Sequence, residues 1–248
     1  MDARNANQHI SHISTLWTLV YKAHGGSAES VSTAQRVLLE RYGGSVYRYL
    51  LGALRDPDAA DDLFQEFSLR LLRGDFKNAN PERGRFRDFL KTSVYHLVID
   101  YHKRKQRPIY SFTPGVHEPA VNPPSVTESE QAFLTSWREE LMDRTWLALE
   151  SLEKESGQPH HTVLRMRTDY PDLRSEELAV RVGERLGKPF RIDALRQALH
   201  RARDKFTDLL LEEIVQSLEN PTPDRLEEEL TDLGLATYCQ KALERRCR

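Results

Sequence analysis

The sequence predicts an all-α fold, and three observations carry that expectation. Period-2 alternation of β-branched residues is almost absent, whereas apolar residues recur at helical spacing. Helix starts and stops are marked in the residues themselves, by Asp56-Pro57, Gly74, Ser175-Glu-Glu-Leu-Ala and Gly187-Lys-Pro189. Between Pro108 and Thr127 the chain holds five prolines (108, 114, 119, 123 and 124) and little apolar periodicity, which reads as a linker between two helical parts.

Taken in order, a first helix is expected over roughly Ser14–His24, ended by Gly25-Gly26. A second runs from about Ser32 to Leu54, with Gly43-Gly44 as a candidate break. The third begins at Asp56, with Asp as N-cap, Pro57 at the first helical position and acids in the first turn, and it ends before Gly74. Asn80-Pro81 opens a short turn, and Gly84 precedes a long helix from about Phe86 to Arg104, stopped by Pro108. A second helical region spans about Glu128 to Ile214, with helices starting at Ser175 and at about Asp193. Asn220-Pro-Thr-Pro ends it; an acidic helix over about Asp224–Leu233 and a last helix to Arg248 follow. The expected organisation is a domain over residues 1–107, a linker over 108–127, a second domain over 128–214 and an extension over 215–248.

Composition bounds the function. The 248 residues are 39% apolar and 30% charged, which suits small cores rather than one large one. No apolar run approaches the roughly 18 residues of a membrane span, and the first residues lack a basic-then-apolar leader pattern, so a cytoplasmic protein without membrane insertion is expected. Cys239 and Cys247 have no nearby partners to complete a metal site, and no cofactor is expected. The net charge of −2 hides an uneven distribution. Residues 85–107 sum to +5 and residues 212–232 to −7, a pattern of proteins that bind nucleic acid on one surface and protein on another.

Two stretches carry most of the signal. In Asp56–Leu72, Leu63, Phe67 and Leu71 form one stripe broadened by Phe64, while Asp58, Asp62, Gln65, Glu66 and Leu69 fall on another face. A solvated acidic face explains this, and so does a docking surface for a basic partner. In Phe86–Arg107, Phe86, Phe89, Leu90, Val94, Leu97 and Val98 make the apolar stripe. His96, Asp100, Lys103 and Arg107 share the opposite face, flanked by Tyr101, His102, Arg104 and Lys105. Cations there suit the helix C-terminus; with interleaved aromatics they also suit a phosphate- and base-contacting patch.

The order Asp61-Asp-Leu-Phe-Gln-Glu-Phe…Arg70-Leu, then Arg85-Phe-Arg-Asp-Phe-Leu…Asp100…Lys103-Arg104…Arg107, resembles region 2 of extracytoplasmic-function (group 4) sigma factors of bacterial RNA polymerase. Ala198-Leu-His-Arg-Ala-Arg-Asp-Lys-Phe is similar to the end of their region 4 recognition helix. Thr15-Leu-Trp-Thr-Leu-Val and Asn80-Pro-Glu-Arg-Gly-Arg-Phe are similar to the planctomycete-type variant. The resemblance covers most of residues 15–214. It implies that Asp58, Asp61, Asp62, Gln65 and Glu66 contact the clamp helices of core RNA polymerase. It implies that His96, Asp100, Tyr101, Lys103, Arg104, Lys105 and Arg107 open the −10 element and hold a flipped base, whose unpairing cost of a few kcal/mol is offset by stacking and edge hydrogen bonds. Where the family often has Trp and Asn, this chain has Phe89 and His96; the second difference bears on base preference.

Region 4 is then a helix-turn-helix that starts at Ser175 and places its second helix in the −35 major groove. Arg191, Arg196 and Gln197 are expected at bases, and His200, Arg201, Arg203 and Lys205 at phosphate or in the core. If Val182-Gly183 ends the first helix, the turn is much longer than the family's; either that helix continues to Leu186-Gly187 or the turn carries an insertion. The resemblance sends the linker toward the polymerase active-site cleft; a passive tether fits the residues equally. The extension is acidic, then amphipathic through Leu226, Leu230, Leu233 and Leu235, then basic through Lys241, Arg245, Arg246 and Arg248. A regulatory element over region 4 and a stability cap both fit it. Implied partners are core polymerase and promoter DNA, with room for an anti-sigma factor or other regulatory protein.

Two other functions compete. A free-standing helix-turn-helix regulator needs no acidic docking helix. A helical hydrolase would use Asp61, Asp62 and Glu66 as Mg²⁺ ligands, yet no second acidic helix, Gly-rich phosphate loop or His-Glu-x-x-His accompanies them.

Overall fold

The computed structural model describes residues 22–23, 28–78, 85–106, 125–218 and 221–246. Among these residues the protein is all-α: nine α-helices, one short 3-10 turn and no strand. The helices are α1 (Ala28–Leu54), α2 (Pro57–Arg73), α3 (Phe86–Gln106), α4 (Val126–Ser156), α5 (His160–Asp169), α6 (Ser175–Leu186), α7 (Ile192–Ser217), α8 (Pro223–Asp232) and α9 (Ala236–Arg246). The helix expected over Ser14–His24 and most of the Pro-rich stretch lie outside the described residues.

The chain forms two compact units. The first comprises Met1–Glu140 with Gln216–Pro221, the second Leu141–Val215 with Thr222–Arg248. The compact units divide within α4, after Glu140. The reason is packing. Phe133 and Trp137 on α4 are fully buried in the first unit. The Trp137 indole stacks on Tyr42 with ring centroids 5.1 Å apart, and Phe133 meets Tyr49 edge-on at 5.6 Å. Arg48 and Lys91 hold Glu140 and Glu130 at 2.5 and 2.9 Å.

In the first unit α1 packs along α2, and α3 lies against both. α1 runs unbroken through Gly43-Gly44, the candidate break. A glycine costs a helix only about 1 kcal/mol. Space is tight at both positions: a Cβ at Gly43 would press on the Phe64 ring at 3.1 Å, and one at Gly44 would displace the Glu140 carboxylate. α2 starts as its residues dictate. The Asp56 carboxylate accepts from the Asp58 and Ala59 amides, at 3.1 and 3.3 Å, and Pro57 occupies the first helical position. It ends at Gly74, whose φ of 83° gives the left-handed cap. Leu63, Phe67 and Leu71 are all buried, each contributing roughly 1.5–3 kcal/mol.

α4 begins with a capping box. Ser125 Oγ donates to Glu128 Oε2 at 2.7 Å, the Ser125 amide donates to the same oxygen at 3.0 Å, and the Glu128 amide returns to Ser125 Oγ at 3.3 Å.

In the second unit α5 and α6 pack together, and Arg167 fixes their turn by donating to the carbonyls of Pro171 and Leu173 at 3.2 and 2.8 Å. Phe206 on α7 lies 4.8 Å from Trp146 on α4, and Arg144 pairs with Glu213 at 2.9 Å. α8 and α9 form a helical hairpin whose Leu226, Leu230, Leu233, Leu235, Cys239 and Ala242 are buried.

Candidate nucleic-acid interface

Burial of Leu63, Phe67 and Leu71 turns the acidic side of α2 to solvent. Asp58, Asp61, Asp62 and Gln65 are exposed, and so are Leu69 and Leu72, at 47% and 50%. The face is therefore acidic with apolar members. The Tyr47 hydroxyl on α1 hydrogen-bonds Asp61, which raises its phenol above the ordinary value. Glu66 is half-buried and fully engaged: Arg70 donates to Oε1 at 2.5 Å, and Arg104 on α3 donates to Oε2 at 3.0 Å. Partial burial pulls the Glu66 carboxyl up, but the two guanidiniums outweigh it and hold the group below the usual carboxylate range.

α3 presents Thr92, His96, Asp100 and Lys103 as one exposed stripe, with Arg104 and Lys105 exposed beside it and Tyr101 half-buried. Arg107 lies outside the described residues. His102 does not flank this face; it is buried, 6% exposed. It follows Val98 by four residues and Val94 by eight, which puts it on the core stripe. Burial, then the nearby Lys105 charge, keep its pKa below the ordinary value. Arg87, counted with the basic block, is buried as well. The solvent-facing charge is thus concentrated at the α3 C-terminus.

Behind His96 lies a cavity of about 280 Å³, lined by Arg70, Asp75, Phe76, Phe89, Ser93, His96 and Leu97. Sequence spacing alone did not reveal it. It forms because the 3-10 turn Asp75–Asn78 carries Phe76 back onto Phe67 and Phe89, with ring centroids 5.6 and 5.3 Å away. Among the described residues no group of three or more His, Cys, Asp or Glu converges as a metal site, and no helix is long and apolar enough to cross a membrane.

In the second unit the turn between α6 and α7 is short. α6 continues through Gly183 to Leu186, and Gly187 closes it at φ 65°. Of the two readings of this segment the longer helix is the one formed. Gly183 serves close packing instead: a Cβ there would sit 3.0 Å from the Lys188 carbonyl. Arg191 precedes α7, and Arg196, Gln197, His200, Arg201, Arg203 and Lys205 follow within it; all seven are exposed and none is core. The core positions on this stretch are Leu195, Ala198, Leu199 and Ala202.

Searches of curated proteins and of solved structures found no match to the chain. Residues 38–108, the stretch of α1 to α3 that builds the acidic and cationic faces, match the family model of Sigma-70 region 2, which supports a sigma-70 family sigma factor.

Proposed function

We propose that the protein is an extracytoplasmic-function sigma factor: a cytoplasmic, non-catalytic subunit that binds core RNA polymerase and directs it to promoters. One observation carries the reading. Within the segment matching region 2, an exposed acidic face on α2 stands beside an exposed cationic end on α3. Asp58, Asp61, Asp62, Gln65 and Glu66, with Leu69, are the docking surface for polymerase. His96, Asp100, Tyr101, Lys103, Arg104, Lys105 and Arg107 engage the −10 strand, with phosphate held by the cations and an extruded base received near His96. The cavity behind His96, of the order of the smaller ligand clefts at about 300 Å³, supports that placement. Residues 1–107 act as the region 2 domain and 128–214 as region 4, joined by 108–127 and followed by the extension 215–248. The short α6–α7 turn supports a helix-turn-helix, with Arg191, Arg196 and Gln197 at −35 bases and His200, Arg201, Arg203 and Lys205 at phosphate.

Run-off transcription with core polymerase on a promoter library tests this. The chain should select a bipartite −10/−35 promoter, and His96→Ala should change the preferred −10 base. No promoter-dependent product would reject the sigma reading. A free-standing helix-turn-helix regulator would instead bind duplex DNA without polymerase, and the exposed acidic face of α2 argues against it.

A further inference from the structure

On α7, Gln197, Arg201, Asp204 and Asp208 follow one another at i, i+4, i+7 and i+11, so they form one stripe. Arg201 Nη2 donates to Gln197 Oε1 at 3.4 Å, and His200 Nδ1 lies 3.3 Å from Asp204 Oδ2. Two carboxylates therefore stand directly beyond the side chains that would meet DNA. Bare, they would repel a phosphate backbone. They are not bare. Arg245, in the last turn of α9, sets Nη1 3.4 Å from Asp204 Oδ1 and Nη2 2.7 Å from Asp208 Oδ1. Its helix is held in the unit by buried Cys239 and Ala242, and the Tyr238 ring lies 6.5 Å from Phe206 on α7. Charge is segregated within the hairpin. α8 exposes Asp224, Glu227, Glu228 and Asp232 against Arg225, whereas α9 exposes Lys241, Arg245 and Arg246 against Glu244. The cationic helix, not the acidic one, is the one with ion pairs on the α7 stripe.

We propose that α9 is an electrostatic part of the duplex-binding surface: Arg245 neutralises Asp204 and Asp208, so the α7 stripe accepts the phosphate backbone of duplex DNA. The C-terminal extension then promotes DNA binding rather than masking it. The proposal rests on the reading of α6 and α7 as a helix-turn-helix.

The test is fluorescence anisotropy of the full chain with a labelled mixed-sequence DNA duplex at low salt. Arg245→Ala weakens binding about threefold to tenfold, the range expected when surface carboxylates are unmasked. In an Asp204→Asn/Asp208→Asn background, removing Arg245 changes affinity by less than about twofold, because nothing remains to neutralise. Equal losses in both backgrounds mean that Arg245 contacts phosphate directly, and unchanged or tighter binding by Arg245→Ala means that the helix is neutral or inhibitory; either overturns the proposal. Should Arg245→Ala fail to fold, Asp204→Asn/Asp208→Asn alone decides. A gain under about twofold fits carboxylates already neutralised, and a larger gain contradicts it. Arg196→Ala/Arg201→Ala separates the two readings. Undiminished binding by that variant rejects the helix-turn-helix itself, whereas weakened binding beside an unaffected Arg245→Ala rejects only the role of α9.

Discussion

Arg104 Nη2 stands 3.0 Å from Glu66 Oε2, tying the cationic end of α3 to the acidic face of α2. The side chains are 56% and 30% exposed, so this is a surface pair worth about 0.2–1 kcal/mol at most. It orients the two faces more than it stabilises them. Because Glu66 titrates below the usual carboxylate range, the pair contributes fully above that range and is lost only as pH falls through the lowered value. Glu66→Gln should therefore lower the melting temperature slightly at neutral pH. The difference from wild type should vanish in acid, below the carboxylate range.

His102 should give a second acid sensitivity. Its imidazole is buried and its pKa depressed, so the unfolded chain binds the proton first. The sign follows: stability is full above the ordinary histidine value of about 6.5 and declines as pH falls through it toward the depressed one. Thermal melts from about pH 7 to about pH 5 should show that decline, and His102→Leu should reduce its slope, leaving the part due to His160, whose burial also lowers its pKa. Equal slopes for the two proteins would exclude His102 as a source.

The start of α4 belongs energetically to the first unit. Trp137 is 1% exposed and stacked on Tyr42. Trp137→Ala should cost about 3–5 kcal/mol, read by chemical denaturation, as large-to-small core changes do. A fragment ending at residue 124 should be less stable than one ending at residue 140. Equal stability would show that the Trp137 contacts contribute nothing to the first unit.

Local chemistry was legible where it is self-contained. Asp56, Pro57 and Gly74 bound α2 by capping and backbone geometry alone, and the structure places them in those roles. The stripe of Leu63, Phe67 and Leu71 follows from period, and so does the exposure of Asp58 and Asp62. Gly43-Gly44, a candidate break, carries none: the small helix penalty is outweighed where Phe64 and Glu140 pack close to the backbone, which no window of sequence contains. His102 was legible in principle from its register with Val94 and Val98; its neighbouring lysine and arginine obscured that. The cavity at His96 and the Arg245 pairs join residues far apart in the chain, so they emerge only from the fold.

The docking face is tested most directly by charge reversal on α2, with Asp62→Arg and Glu66→Arg together, and co-purification with core RNA polymerase. Both positions lie off the buried stripe, so the fold should survive, as judged by helical circular dichroism. The sigma reading predicts that the wild-type chain is retained by core polymerase and that the reversed chain is not. Retention of the folded, reversed chain at wild-type levels would contradict the assignment of α2 as the polymerase-docking helix.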